Sequence, residues 1–393
     1  MSRTRLCHLT RIGTVAAALL VAAPLAAAPP FNFDDVNKET RPIPLGSSGG
    51  NINDRSDRAC CSGTLGSLVQ DAAGAYILSN NHVIARNNQG VVGEDILQPG
   101  LIDQGPACTQ DGSDAVADLT AWAPLSFDSD ATQYENTVDA AIAAVRAGEV
   151  TASGEIADVG IPSSATTAAA IGMAVQKRGR TSGHTFGTVG ALNVTVDVTY
   201  PAACGDRKGP KARFVGQIRV DDTNGDFSEG GDSGSLVVTH DAARSPVGLL
   251  FAGSKQSTLL NPIDEVLGCL QVVMAGDTGA LPTGCSHGVT EVSGGGSDDD
   301  GGSGGPPPGR GKPSGYAALP PGLEVAAGVQ ARHEAALFAI AGVAGTGIST
   351  DSAGYPVIEV YLESAIGDPR RPLPMELEGI PVRRVVTGPF VAE

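Results

Sequence analysis

From Cys60 to about Val273 the chain is written in short apolar runs broken by glycine, asparagine and aspartate. That rhythm is typical of barrels or sandwiches of short β-strands. "GTLGSLVQ" at 63–70 and "AYILSN" at 75–80 flank the turn "DAAG", which predicts a hairpin. The period changes at "NPIDEVLGCLQVV" (261–273), where Ile263, Val266, Leu267 and Leu270 share one helical face. There Asn261 is a good cap and Pro262 suits a first turn, so a helix should close the β region. Residues 293–315, "SGGGSDDDGGSGGPPPGRGKPSG", offer almost nothing to a core and read as a linker with flexible and stiff parts. Beyond it, 328–364 reads as helix, strand, turn and strand, and 380–393 as a final strand.

At the other end, "GTVAAALLVAAPLAAA" (13–28) follows Arg3, Arg5 and Arg11 and ends in small residues, the layout of a signal peptide cleaved near Ala26 to Ala28. A transmembrane anchor would need a longer apolar span. The expected organisation is therefore a signal peptide at 1–28, a polar, Pro/Gly-punctuated arm at 29–57, a main domain at 58–292, the linker at 293–315 and a small α+β domain at 316–393.

Export changes the reading of the cysteines. Cys7 leaves with the leader, and Cys60, Cys61, Cys108, Cys204, Cys269 and Cys285 remain, an even set that suggests disulfides of open connectivity. Metal binding competes poorly, since no CxxC pair and no HExxH helix is present. Asp222, Asn224 and Asp226 only faintly resemble a calcium loop, and Asp298 to Asp300 read as solvated charge. Loss of three leader arginines moves the formal charge from -17 to -20, which makes nucleic acid and anionic membranes poor partners.

Three segments carry candidate chemistry: "YILSNNHVIA" with His82, "NTVDAAIAAV" with Asp139, and "GGDSGSLVV" with Ser233. A serine hydroxyl becomes a nucleophile when an imidazole takes its proton, and a carboxylate fixes the imidazole's tautomer. The chain order His, Asp, Ser differs from that of α/β-hydrolases and subtilisins, and Ser235 stands where GxSxG demands glycine. Asp118 in "AVADLTAW" competes with Asp139 for the carboxylate role. His184 in "GRTSGHTFG" could be a second base or a receptor for an acidic substrate residue, but reads better as a half-buried strand residue.

With "CCSGTLG", "SNNH", "VDAAIA", "GRTSG" and "GDSGSLVV" in that order, roughly 60–273 resembles secreted bacterial serine peptidases of the chymotrypsin/trypsin-like family, among them a group of poorly characterised bacterial trypsin-like proteins. The resemblance implies a mainly β fold of two packed antiparallel β-barrels with a C-terminal helix. It implies His82, Asp139 and Ser233 as the triad and the Gly231 and Ser233 amides as the oxyanion hole. It further implies Asp232 buried against a positive group, best matched by Lys177 with Arg178 and Arg180 as competitors. "VGLLFAG" (247–253) is similar to the strand edge that aligns a substrate backbone. Phe227, Phe251 and Gly253 then line the substrate pocket, with Phe227 at its base unless the loop shifts by one to Asp226.

Two family features are missing: Val83 follows His82 where animal relatives carry cysteine, and no basic cleavage site precedes a new Ile-Val terminus. The expectation is an exported serine endopeptidase acting on polypeptides without a cofactor. The alternatives are a peptidase-like scaffold with an unproductive triad, or an esterase using the same site. The C-terminal domain's partner is open.

Overall fold

Gly66 decides how the first barrel closes. Strands β1 (Ser47–Asn51), β2 (Gly63–Leu65), β3 (Ser67–Gln70), β4 (Ala75–Ser79), β5 (Asp95–Leu97) and β6 (Ala115–Trp122) precede the two-residue β7 (Glu135–Asn136) and β8 (Ala141–Val145). β2 and β3 are one run of chain interrupted at Gly66, where a Cβ would lie 1.8 Å from the Gly234 carbonyl oxygen. β2 pairs with β1 and β3 with β4, so antiparallel pairing runs β4–β8–β6–β5–β1 and back through β2 into β3. The described residues are 36–105, 107–129, 135–206, 208–222, 227–282, 285, 319, 321–365 and 372–392 of a computed structural model. The leader, the linker and Asn224 and Asp226 lie outside them.

The segment expected to be a polar arm contributes β1, "SSGGN", all of it buried. Its composition hides a strand because the barrel is tight there: a Cβ on Gly49 would sit 2.4 Å from the Leu65 side chain. Only backbone pairing, with no alternating apolar face, marks this stretch as β, so periodicity could not find it.

The second barrel is a ring of β9 (Ala174–Gly179), β10 (Gly183–Thr199), β11 (Lys211–Asp222), β14 (Ser257–Pro262), β13 (Pro246–Gly253) and β12 (Leu236–Thr239), which returns to β9. Every pairing in it is antiparallel. The expected helix is α2 (Ile263–Leu270) after β14, and nothing in the sequence pattern marks the one-turn α1 (Asn81–Ile84) after β4. α2 buries Ile263, Val266 and Leu267 in the apolar cluster of the first barrel with Leu65, Ile77 and Ile142, and β15 (Val273–Met274) pairs with β3. Asn261 does not cap this helix. Pro262 takes the N-cap position, and Asn261 is wholly buried in β14.

Disulfides join Cys60 to Cys108, Cys61 to Cys204 and Cys269 to Cys285. Adjacent Cys60 and Cys61 thus each find a distant partner, and Cys61–Cys204 ties a first-barrel loop to the loop after β10.

After the linker, α3 (Pro321–Phe338) packs Leu323, Ala326 and Val329 against Ile348 and Ile358 of β16 (Val343–Thr350) and β17 (Pro356–Leu362). β18 (Glu376–Leu377) and β19 (Ile380–Val386) complete the α+β unit. Its sheet is continuous with the second barrel, since β16 pairs antiparallel with β10. Buried polar contacts reinforce that edge: Glu359 accepts from Arg219 of β11, and Gln330 donates to the Asn193 carbonyl at 3.1 Å. The expected final strand is two strands. At Gly388, φ is +83°, a conformation glycine adopts without strain, and Pro389 follows. The chain there leaves β19 and continues as β20 (Phe390–Ala392), paired parallel with β10 and antiparallel with β13.

Candidate active site

His82 lies in the single turn of α1, directly after β4, and Asp139 in the loop leading into β8, so both belong to the first barrel. Asp139 clamps the histidine twice: Oδ2 is 2.6 Å from Nδ1, and Oδ1 accepts the His82 backbone N–H at 3.2 Å. A carboxylate on Nδ1 fixes the tautomer that assigns proton acceptance to Nε2. Asp118, the competing carboxylate, instead pairs with Arg146 at 2.7 Å.

Two residues that the sequence pattern did not link to this site complete the surroundings of Asp139. Tyr200, at the end of β10, donates its hydroxyl to Asp139 Oδ2 at 2.7 Å. Asn261 accepts the Asp139 backbone N–H at 2.9 Å and donates to Gln217 Oε1 at 2.7 Å. Asp139 is wholly buried, and a carboxylate at such depth needs its partners, the Tyr200 hydroxyl and the His82 ring and backbone N–H. Burial and the neighbouring Asp139 push the Tyr200 phenol well above its ordinary 10.0, so it stays a donor.

The second barrel supplies the serine. Ser233 sits in the turn before β12, and its Oγ is 3.2 Å from the Phe251 carbonyl of β13. The glycines around it answer to space and to backbone conformation. At Gly234, φ is +95°, and a Cβ would lie 2.3 Å from both Ser79 Oγ and the Thr64 carbonyl. Gly231 has φ +104°. Among the described residues nothing accepts the N–H of Gly231 or of Ser233, whereas Asp232, Gly234 and Ser235 all donate within the loop or to β13. Among the described residues the amides of Ser233 and of Gly231, two positions before it, are thus open, and free N–H groups are what a developing oxyanion requires. Ser235, where many such loops have glycine, is buried and donates to the Asp232 carbonyl at 2.6 Å.

Asp232 turns inward. Its carboxylate meets Lys177 Nζ at 2.9 Å with both side chains fully buried, and accepts from Ser182 and from the Thr181 and Ser182 amides. Burial opposes its ionisation, but Lys177 and the Ser182 hydroxyl outweigh burial and hold the carboxyl below its ordinary 3.8. The competing cations are engaged elsewhere, Arg178 with Asp158 and Arg180 with Asp103.

His82 and Gly231 line one cavity of about 350 Å³, together with Asp54, Arg180 and Ala392. Phe227, Phe251 and Gly253, expected in the substrate pocket, do not line it. Phe227 packs into the second-barrel cluster with Val189 and Val220, and the Phe251 ring packs against Phe214. Gly253 pairs with Thr258 and Val391. His184 is a half-buried strand residue 2.9 Å from Gln176 Oε1, and burial lowers its pKa. Asp54 gathers with Cys61 and Cys204 as a conceivable metal cluster, but those two sulfurs are bonded to each other and are not thiolates.

Two six-stranded antiparallel barrels, one bearing His82 and Asp139 and the other Ser233, define a chymotrypsin-like double-barrel fold. No family model and no curated protein matches the chain. Solved structures similar to it include a glutamic acid specific serine protease that uses a histidine triad in substrate binding, at 18% identity, covering 59% of this chain and all of that one, with a TM-score of 0.39. Thermobifida fusca protease A is similar at 16% identity over 60% of this chain and 99% of that one, TM-score 0.38. Cellulomonas bogoriensis chymotrypsin is similar at 20% identity over 59% and 97%, TM-score 0.36.

Proposed function

We propose that the protein is an exported serine endopeptidase that cleaves polypeptides through an acyl-enzyme. Ser233 attacks the scissile carbonyl, His82 takes and returns the proton, Asp139 orients His82, and the Gly231 and Ser233 amides hold the oxyanion. Expulsion of the amine leaves an ester on Ser233, which water hydrolyses with His82 as base. No metal or cofactor enters this scheme.

The observation that carries the reading is the double clamp of Asp139 on His82, at Nδ1 and at the backbone amide, on the wall of the cavity that Gly231 also lines. A structural histidine has no need of a buried aspartate whose carboxylate is braced by Tyr200 and whose backbone N–H is held by Asn261. The three disulfides agree with an oxidising compartment, secreted or periplasmic, and among the described residues no helix is long and apolar enough to cross a membrane.

Prolonged exposure of the full chain to a fluorophosphonate tests the proposal. Covalent labelling that is lost in Ser233→Ala and strongly slowed in His82→Ala is expected. Absence of labelling in the folded protein, both with and without its β20 strand, would instead leave a peptidase-shaped scaffold.

A further inference from the structure

The end of β13 is the strand edge that a substrate backbone would pair with if the proposed peptidase reading holds, and in this chain that edge is occupied. Val391 is the antiparallel partner of Gly253, and Ala392 that of Ala252. Ala252 directly follows Phe251, whose carbonyl faces the Ser233 hydroxyl. Ala392 also lines the cavity that His82 and Gly231 line. An extended segment running antiparallel along the strand beside Ser233, with Ala392 on the wall of the cavity that His82 lines, has the pose of a bound peptide.

The segment is anchored for this pose. Phe390 is almost wholly buried, edge-on to Tyr361 with ring centroids 6.0 Å apart, in a cluster shared with Phe214 and Phe251 of the second barrel. On its other side β20 pairs with Val198 and Thr199 of β10. The Thr387 and Gly388 amides both donate to Leu362, which fixes the point where the chain leaves the α+β unit. Among the described residues the side chains beyond the anchor are small, Val391 and Ala392, and Val391 is 42% exposed, so the strand fits there by its backbone. With the segment in place Ser233 is 0% exposed and the His82 side chain 9%.

We propose that the C-terminal strand is a substrate mimic, and that the α+β unit bearing it is an inhibitor carried by the same chain. The proposal rests on the peptidase reading above. The α+β unit joins β10 edge to edge and is clasped by Glu359 with Arg219, which sets the strand's register; the linker lets it remain covalently attached. The ligand class that the edge accepts is an extended peptide with small aliphatic residues opposite Ala252 and Gly253.

The test compares fluorophosphonate labelling of Ser233 in the full chain and in a chain ending at Phe390, with synthetic peptide Val391–Glu393, the segment removed, as added competitor. Labelling at least about 10-fold faster in the shortened chain, slowed again by the peptide, is expected, since an edge that is nine-tenths occupied lowers apparent reactivity by that factor. Equal rates in both chains would overturn the inhibitory role and leave the peptidase reading intact. No labelling of either folded chain would overturn the peptidase reading and the inhibition with it. Hydrogen exchange on the unaltered full chain guards against misfolding of the shortened one. Adjacent strand residues turn their N–H groups to opposite neighbours, so of the Ala252 and Gly253 amides the one facing β20 should exchange at least about 10-fold more slowly than an unpaired edge, and exchange at the rate of an unpaired edge would overturn the proposal.

Discussion

Tyr200 reaches across from the second barrel to Asp139 in the first, with 2.7 Å between the phenol oxygen and Asp139 Oδ2 and a separation of 61 residues along the chain. The pairing ties the two barrels together at the site. It also leaves Asp139 Oδ2 shared between a neutral donor and His82 Nδ1. Removing the hydroxyl in Tyr200→Phe deprives a buried carboxylate of a partner, at a cost of about 1.5–3 kcal/mol for a hydrogen bond to a charged group. Loss of both thermal stability and kcat, with KM nearly unchanged, is the expected result of comparing steady-state kinetics and melting for the two proteins.

Asp139→Asn should lower kcat by about ten-thousand-fold, because an amide cannot hold the imidazole in the tautomer that accepts the serine's proton. Combining it with Ser233→Ala should cost little more than Ser233→Ala alone, since residues that act as a unit are not additive. Rates for both single variants and the double variant check this.

Lys177→Met strands Asp232 as a buried lone charge, and breaking such a pair costs about 3–5 kcal/mol. Adding Asp232→Asn should recover part of that loss, as measured by urea denaturation. The pH dependence follows from the lowered Asp232 value. With the folded carboxyl below its unfolded 3.8, its contribution to stability is complete above that pH and disappears as pH falls through the folded value. Acid unfolding of the parent protein should therefore flatten in the double variant.

Asp54 behaves in the opposite sense. Burial raises its carboxyl to about 6, against the pull of His82 and Arg86. The folded state then holds the proton more tightly than the unfolded chain, so this group favours folding most below pH 3.8 and progressively less up to about 6. Asp54→Asn should raise the melting temperature above pH 6 and leave it unchanged below pH 4. A series of melts across that range decides the matter.

The legible parts of the molecule were those where chemistry leaves a local mark. Ser233 is announced by glycines that the turn at Gly231 and Gly234 requires, and His82 by its place just past an apolar strand. Tyr200 carried no such mark, because its role is created by a contact between barrels. Asn261 before Pro262 reads as a helix cap by local rules, yet tertiary structure uses its amide to hold Asp139 and Gln217. β1 carries no periodic mark because close approach at Gly49 selects small residues over an alternating pattern. Residues 390–392 read by pattern as the tail of a single strand, and the φ of Gly388 with their pairing to the end of β13 shows where they go.

The most direct measurement is the mass of the protein after rapid acid quenching of its reaction with an activated peptide ester, in the full chain and in the chain ending at Phe390. One acyl group on the peptide that contains Ser233, absent from His82→Ala within the same quench time, is the expected result. Ester turnover with no adduct, or with the acyl group on another residue, would contradict the assignment of Ser233 as nucleophile.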